Sequence, residues 1–175
     1  MNDECWLPQM MYFDDYKTAD DYAESWKTYQ EALYAVFKSD FVDDRPYFEG
    51  KQVNIRREPI EFGKEEAFFH ITCQDYLKDE NRVPDLRRCE RIKWVRAFIE
   101  NYHCDPTQCE ACEGVKVWSE PHHNSSRVHL LLEEERYMVV LEKREKYCLL
   151  ITAFYIEHDH SLKSKLQHYE KYKET

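Results

Sequence analysis

Four short apolar runs between residues 115 and 157 constrain the fold of this chain more than any other feature. Polar turns separate the runs, which are VKVWSE (115–120), SRVHLLL (126–132), RYMVVLEK (136–143) and KYCLLITAFYIE (146–157). Alternating or fully apolar runs of this length, rich in β-branched and aromatic residues, are typical of strands. We therefore expect an antiparallel meander of four strands.

Helical spacing dominates the sequence on both sides of these runs. Residues 18–39 place aromatic and aliphatic side chains three or four positions apart, with Thr18 as the expected N-cap. Pro84 suits a first helical turn, so we expect a helix from there to about Ile99. A last helix follows the strands, and Asp159 is its expected cap. This order predicts an α+β fold, with N-terminal helices, a four-stranded antiparallel sheet and a C-terminal helix.

Two shorter segments carry weaker patterns. Residues 51–56 alternate Val53 and Ile55 with polar neighbours, which predicts a short strand. Residues 62–73, FGKEEAFFHITC, fit a strand and a helix equally well.

The length and composition fit one compact domain. Of 175 residues, 42% are hydrophobic and 15% aromatic, which is enough for a sizeable core. The net charge of −10 is uneven, because residues 1–50 contain 12 acidic against 4 basic side chains and so carry −8 of it. We expect a single domain over residues 1–175, with an acidic helical N-terminal part at 1–50 and the core of the fold at 51–175.

The cysteines and the absence of long apolar runs indicate the compartment. No run approaches the roughly 20 residues that span a bilayer, and the first ten residues lack the features of a signal peptide. We therefore expect a cytoplasmic protein without membrane contact, whose seven cysteines are reduced. Within residues 103–112, HCDPTQCEAC, the CxxC of Cys109 and Cys112 has the spacing of a zinc-ligand pair. Cys104 with His103, or with a histidine of the next loop, would have to supply the other pair, and ordinary thiols in a surface insertion are the alternative.

The stretch NRVPDLRRCERIKW, residues 81–94, concentrates positive charge in an acidic chain. On a helix that begins at residue 84, Arg87 and Arg91 share a stripe with Val95 and Phe98, which face the core. A buried guanidinium needs carboxylate, carbonyl or phosphate partners. Either the arginines pair internally or the stripe opens into an anion-binding cleft, and the sequence leaves both interpretations open.

Three segments resemble a known protein family. They are HITCQDYLKDENRVPDLRRCERIKWVRAFIEN, VKVWSE, and RYMVVLEKREKYCLLITAFYIEHDHSLKSKLQHYEKY. These are similar to phage-associated and bacterial proteins related to the BECR nucleases, the ribonuclease fold of barnase, EndoU, colicins and RelE. The resemblance runs from about residue 20 to the C-terminus, and its most specific pieces are PDLRRCERIKW and LLITAFY. It implies a BECR-like core at 51–175 and a metal-independent ribonuclease of phage or mobile-element origin, acting as a toxin or defence component.

The resemblance also implies a set of site residues. Cleavage of RNA without a metal requires a group that removes the proton of the 2′-hydroxyl and cations that stabilise the phosphorane. The implied catalytic residues are His70, Arg87, Arg91 and Thr152, and the implied substrate-binding residues are Arg88, Tyr155, Lys143 and Arg144. Each has a structural alternative, because His70 also fits a core histidine and Lys143 and Arg144 also fit a solvated hairpin turn.

A second function class remains open. The chain would then be a non-catalytic interaction module, in which the acidic N-terminal region binds a basic protein and the arginines form internal salt bridges. The expected partners are RNA under the first hypothesis and a protein such as an antitoxin under either. Phosphate-binding loops and dinucleotide fingerprints are absent from the sequence, which argues against a nucleotide-hydrolysing enzyme.

Overall fold

A computed structural model describes residues 6–18, 20–75, 82–104, 107 and 113–173 of the chain. Its helices in these ranges are α1 Tyr22–Lys38, α2 Glu66–Thr72, α3 Leu86–Glu90, α4 Ile92–Asn101 and α5 Asp159–Tyr172. Its strands are β1 Tyr47–Phe48, β2 Lys51–Asn54, β3 Cys73–Asp75, β4 Arg82–Pro84, β5 Lys116–His122, β6 Ser125–Leu132, β7 Tyr137–Lys143 and β8 Cys148–Tyr155. A 3₁₀ turn at Phe13–Tyr16 and a π-helical turn at Ser39–Asp43 flank α1. The fold is α+β, as the sequence predicts.

The main sheet is larger than the predicted meander. The four predicted strands form the antiparallel array β5–β8, but the full order is β1-β2-β8-β7-β6-β5, so the prediction of a four-stranded antiparallel sheet is wrong. Strand β2 pairs in parallel with β8 through Val53 and Cys148, which makes the sheet mixed. This pairing covers the edge of β8, whose backbone would otherwise be exposed. A register shift between Val140 and Leu141 interrupts the β7–β8 ladder, and such irregularities bend a sheet.

Helices cover both faces of the sheet. On one face, Leu33 and Phe37 of α1 and Phe98 of α4 share a core with Leu130 and Leu150 of the strands, so the acidic N-terminal part and the rest of the chain share apolar contacts. On the other face, α5 packs on Trp118, Leu131, Met138, Val140 and Ile156 through Leu162, Leu166 and Tyr169. Burial on both faces explains why β7 is apolar almost throughout rather than alternating.

The helix termini differ from the predicted ones in local detail. Asp21, not Thr18, caps α1, because its carboxylate accepts hydrogen bonds from the backbone N–H groups of the first turn. The helix predicted from residue 84 begins after Asp85 and breaks at Arg91, whose φ of −104° and ψ of 19° separate α3 from α4. Asp159 is the first residue of α5 rather than its cap, and its carboxylate instead binds Arg136 at 2.7 Å.

Residues 62–73, whose sequence fits a strand and a helix equally well, form a turn, a helix and the start of a strand. Phe62 and Gly63 form a turn with positive φ, α2 follows, and Cys73 begins the short ladder of β3 and β4. Helices α2 and α3 pack against β8, which brings the predicted site elements to one side of the sheet. None of the helices in the described ranges has the length and apolar character needed to cross a membrane.

Candidate functional site

His70 lies on α2 beside a carboxylate and a guanidinium. Its Nε2 is 3.2 Å from Oε1 of Glu66, one helical turn earlier, and Nη2 of Arg82 is 3.2 Å from the same oxygen. The exposed fractions of the three side chains are 25% for His70, 17% for Glu66 and 21% for Arg82, so the group is shielded but reachable. When Nε2–H donates to Glu66, Nδ1 carries the lone pair that can accept a proton. We refer to these residues as the His70 triad.

The backbone of His70 is held by two other predicted site residues. Its carbonyl oxygen accepts hydrogen bonds from Nη1 of Arg88 at 3.0 Å and from Oγ1 of Thr152 at 3.2 Å. Arg88 also donates to the carbonyl of Cys73 at 2.7 Å and lies 3.5 Å from Asp85. The structure thus brings His70, Arg88 and Thr152 together. Arg88 and Thr152 contact the backbone of His70, however, so their role here is to hold the C-terminal end of α2 in place.

Arg87 and Arg91 form a second cluster around Tyr155. The two guanidinium carbons lie 4.4 Å and 4.8 Å from the centroid of its ring, a distance at which cations are attracted to the aromatic face. The side chain of Arg91 is only 12% exposed, and its Nη1 donates to the carbonyl of Arg87 and lies 3.5 Å from Glu90. Burial raises the pKa of the Glu90 carboxyl, against the opposing effect of Arg91. Arg87 is exposed and keeps its charge at the surface.

Lys143 and Arg144 lie elsewhere. Lys143 pairs with Glu49 at 2.8 Å and Arg144 with Glu142 at 2.6 Å, at the hairpin end of β7 and β8. Lys143 is opposite Cys148 in the ladder, whereas Tyr155 is at the far end of the same strand. Seven residues of strand separate these ends by about 23 Å. Lys143 and Arg144 thus lie apart from Tyr155, and their role in substrate binding stays a prediction.

Sequence analysis missed two members of the His70 triad. Glu66 precedes His70 by four residues, a spacing that pairs side chains on a helix, but this signal requires that the segment be assigned as helix. Arg82 reaches the triad because β4 pairs with β3, directly after α2. No local pattern identifies that pairing.

The described residues include only part of the predicted zinc loop. Cys109 and Cys112 lie outside the described residues, and Cys104 is partly buried. Within the described ranges, His, Cys, Asp and Glu side chains form no group of three placed to hold a metal ion.

Comparisons with known proteins found no relative of this chain. No family model, no curated protein and no solved structure matches this chain. The BECR resemblance therefore depends on the quoted segments alone and stays a prediction.

Proposed function

We propose that this protein is a metal-independent endoribonuclease with His70 as its proton-transfer group. The observation that carries the proposal is the His70 triad, in which one carboxylate oxygen of Glu66 contacts both an imidazole and a guanidinium. A carboxylate that fixes the tautomer of a histidine and stabilises its protonated form is the arrangement that acid–base catalysis uses. The BECR-like core and the role of toxin or defence component, which the sequence resemblance implies, belong to the same proposal.

The proposed reaction needs no cofactor. Nδ1 of His70 removes the proton of a ribose 2′-hydroxyl, the 2′-oxygen forms a bond to phosphorus, and the bond from phosphorus to the 5′-oxygen breaks. The 5′-oxygen then takes a proton from the imidazolium or from water, which leaves a 2′,3′-cyclic phosphate and a 5′-hydroxyl. Arg82, whose guanidinium contacts the same Glu66 oxygen as His70, supplies the positive charge that stabilises the phosphorane. Arg88 and Thr152 act as positioning residues through the backbone of His70.

The decisive experiment is cleavage of single-stranded RNA by the purified protein in excess EDTA. Wild-type protein is expected to give products with 2′,3′-cyclic phosphate ends, and His70→Gln is expected to lose the activity while it keeps the melting temperature. Glutamine preserves much of the size and polarity of histidine but cannot take up the proton. Intact RNA across a broad substrate panel with folded wild-type protein would overturn the proposal.

A second candidate, the non-catalytic interaction module, has one observation in its favour. Nη1 of Arg88 and Nη1 of Arg91 donate to internal carbonyls, and the Arg91 guanidinium also lies against the ring of Tyr155. The two candidates differ in what Arg91→Ala does. If Arg91 is also the phosphate ligand that the sequence resemblance implies, the ribonuclease predicts loss of cleavage in a protein of nearly unchanged stability. The module predicts destabilisation, because Glu90 loses its counter-charge. A thermal melt paired with the cleavage assay separates them.

A further inference from the structure

A cavity of about 650 Å³ adjoins the His70 triad. It lies between α1, the turn before α2, and the β3–β4 ladder, and Arg82 lines it. Two phenylalanines, Phe62 and Phe69, supply flat apolar surface, and Gln30 and Glu61 supply an amide and a carboxylate. We call this the aromatic cavity. Its volume falls within the range of cavities that bind small organic ligands.

Phe62 is held in an unusual position at this cavity. Its side chain is 90% exposed, and its φ of 51° is in the left-handed region that bulky residues seldom adopt. Two backbone hydrogen bonds between Glu61 and Lys64, of 3.0 Å and 2.9 Å, close the turn around it. The closed turn thus holds a large aromatic ring in solvent at the cavity, where its face is open to stack on another molecule.

Arg82 connects the aromatic cavity to the proposed chemistry. Its guanidinium carbon lies 5.5 Å from the centroid of Phe69 while Nη2 contacts Glu66, so one side chain belongs to both the cavity and the triad. Proteins that recognise unpaired bases stack them on aromatic rings and guanidinium planes and contact their edges through hydrogen bonds. The cavity contains each of these groups, at the position next to the proposed cleavage centre.

We propose that the aromatic cavity receives an unpaired nucleobase of the RNA, adjacent to the phosphate that His70 acts on. This inference rests on the proposed ribonuclease function and specifies its substrate as single-stranded RNA. A base within a duplex cannot enter the cavity, because it is paired and stacked on its neighbours. Phe62 stacks on the bound base, and Arg82 holds the side of the nucleotide that faces Glu66 and His70.

The test measures binding separately from cleavage. Short 2′-O-methyl oligonucleotides of each base serve as probes, because their blocked 2′-oxygen cannot attack phosphorus, and fluorescence anisotropy gives Kd for single strands and for a duplex. We expect wild-type protein to bind single strands more tightly than duplex and Phe62→Ala to weaken single-strand binding about tenfold. Phe62→Trp is expected to retain or improve binding. Ile60→Ala is the matched control, since Ile60 is 55% exposed and close in sequence but does not line the cavity.

Each outcome has a distinct meaning. If Phe62→Ala and Ile60→Ala bind single strands as tightly as wild type while the wild-type protein cleaves RNA, the base-binding inference fails and the ribonuclease proposal stands. If Phe62 governs single-strand binding but no RNA is cleaved in EDTA, the cavity assignment holds and the catalytic proposal fails. If wild-type protein binds no oligonucleotide, the base-binding inference is wrong, and cleavage in EDTA alone decides the ribonuclease proposal.

Discussion

The contacts of His70 with Glu66 and of His129 with Glu120 lie in opposite surroundings. Glu66 contacts both His70 and Arg82, Arg82 lines the aromatic cavity, and the His70 side chain is 25% exposed. His129 and Glu120, 3.0 Å apart, lie under α5, where the His129 side chain is 12% exposed. The ring of His129 stacks on Trp118 with centroids 4.9 Å apart and planes 10° apart.

The second pair is suited to structure rather than to proton transfer. Burial lowers the pKa of His129 to about 4, although Glu120 opposes the shift, so the ring is neutral at physiological pH. Its Nδ1 is buried without a hydrogen-bond partner among the residues that the structure describes. The comparison teaches that a histidine–glutamate contact is not itself a catalytic signature. Greater access to solvent, and a guanidinium bound to the same glutamate oxygen as the imidazole, distinguish the His70 triad from the packed pair under α5.

The largest expected effect is on RNA cleavage, which we expect to depend on His70 and not on His129. His70→Gln is expected to lower the rate of RNA cleavage by about 10²–10⁴-fold, because proton transfer in the transition state is lost. His129→Gln is expected to cleave at close to the wild-type rate when assayed well below its melting temperature. Equal losses of activity in two well-folded variants would remove the distinction between the pairs.

The second expected effect is a loss of stability on removal of Arg88, whose side chain holds the backbone of His70. Arg88→Ala removes the donor for the carbonyls of His70 and Cys73 and a cation near Asp85, so we expect it to lower the free energy of unfolding by about 3 kcal/mol. Arg87→Ala is the matched control, since its exposed guanidinium contributes only about 0.5–1 kcal/mol through Tyr155. Urea denaturation measures both. Equal destabilisation by the two variants would contradict the bracing role of Arg88.

The third expected effect is a pH dependence of the free energy of unfolding that comes from His129. The unfolded chain protonates His129 near pH 6.5, whereas the folded protein resists this until about pH 4, so stability falls as the pH falls through this window. We expect the loss to be roughly 2–3 kcal/mol. Lys165, His168 and Arg127 add positive charge near the ring and act in the same direction as burial.

The measurement is the difference in unfolding free energy between wild type and His129→Gln from pH 7 to pH 4. A difference is needed because Asp40, whose pKa burial raises to about 6, favours the folded state as the pH falls over the same range. The variant is expected to have the flatter acid-side profile. Parallel profiles for wild type and His129→Gln would show that the ring is not held neutral.

The smallest effect concerns the outer partner of Glu120. His168 of α5 contacts Glu120 but is 50% exposed, so His168→Ala is expected to cost only about 0.5 kcal/mol. His160→Ala, at an exposed position of the same helix, is expected to cost less. A loss of several kcal/mol from His168→Ala, measured by urea denaturation, would mean that this contact and not the apolar face of α5 holds the helix on the sheet.

Sequence patterns predicted the elements that have one apolar side or a long apolar run. The strands β5–β8 and the helices α1 and α5 lie close to their predicted ranges, because their periodicity is a local property. Helix α2 could not be distinguished from a strand, since it is seven residues long and Ala67, Phe68, Phe69 and Ile71 are all buried. The parallel partner of β8 could not be predicted either, because β2 lies far from it in sequence and nothing in its four residues specifies a partner.

The candidate site was predicted in part. The prediction grouped His70, Arg88 and Thr152, and the structure brings them together at the carbonyl of His70. It also grouped Lys143 and Arg144 with them, although these belong to the opposite end of β8. The roles of the arginines depend on which carbonyls and rings surround them, and those neighbours come from distant parts of the chain.

By itself, the sequence determined the order of helices and strands and the surplus of aromatic and acidic side chains, because periodicity and composition act over neighbouring residues. Only the tertiary structure decided that Glu66 and Arg82 meet at His70, that Phe62 and Arg82 line one cavity, and that His129 is enclosed beneath α5. The contacts of Arg82 with the triad and the cavity, and of α5 with the strands around His129, join segments that are separate in the sequence. They exist because packing on the two faces of the sheet brings those segments together.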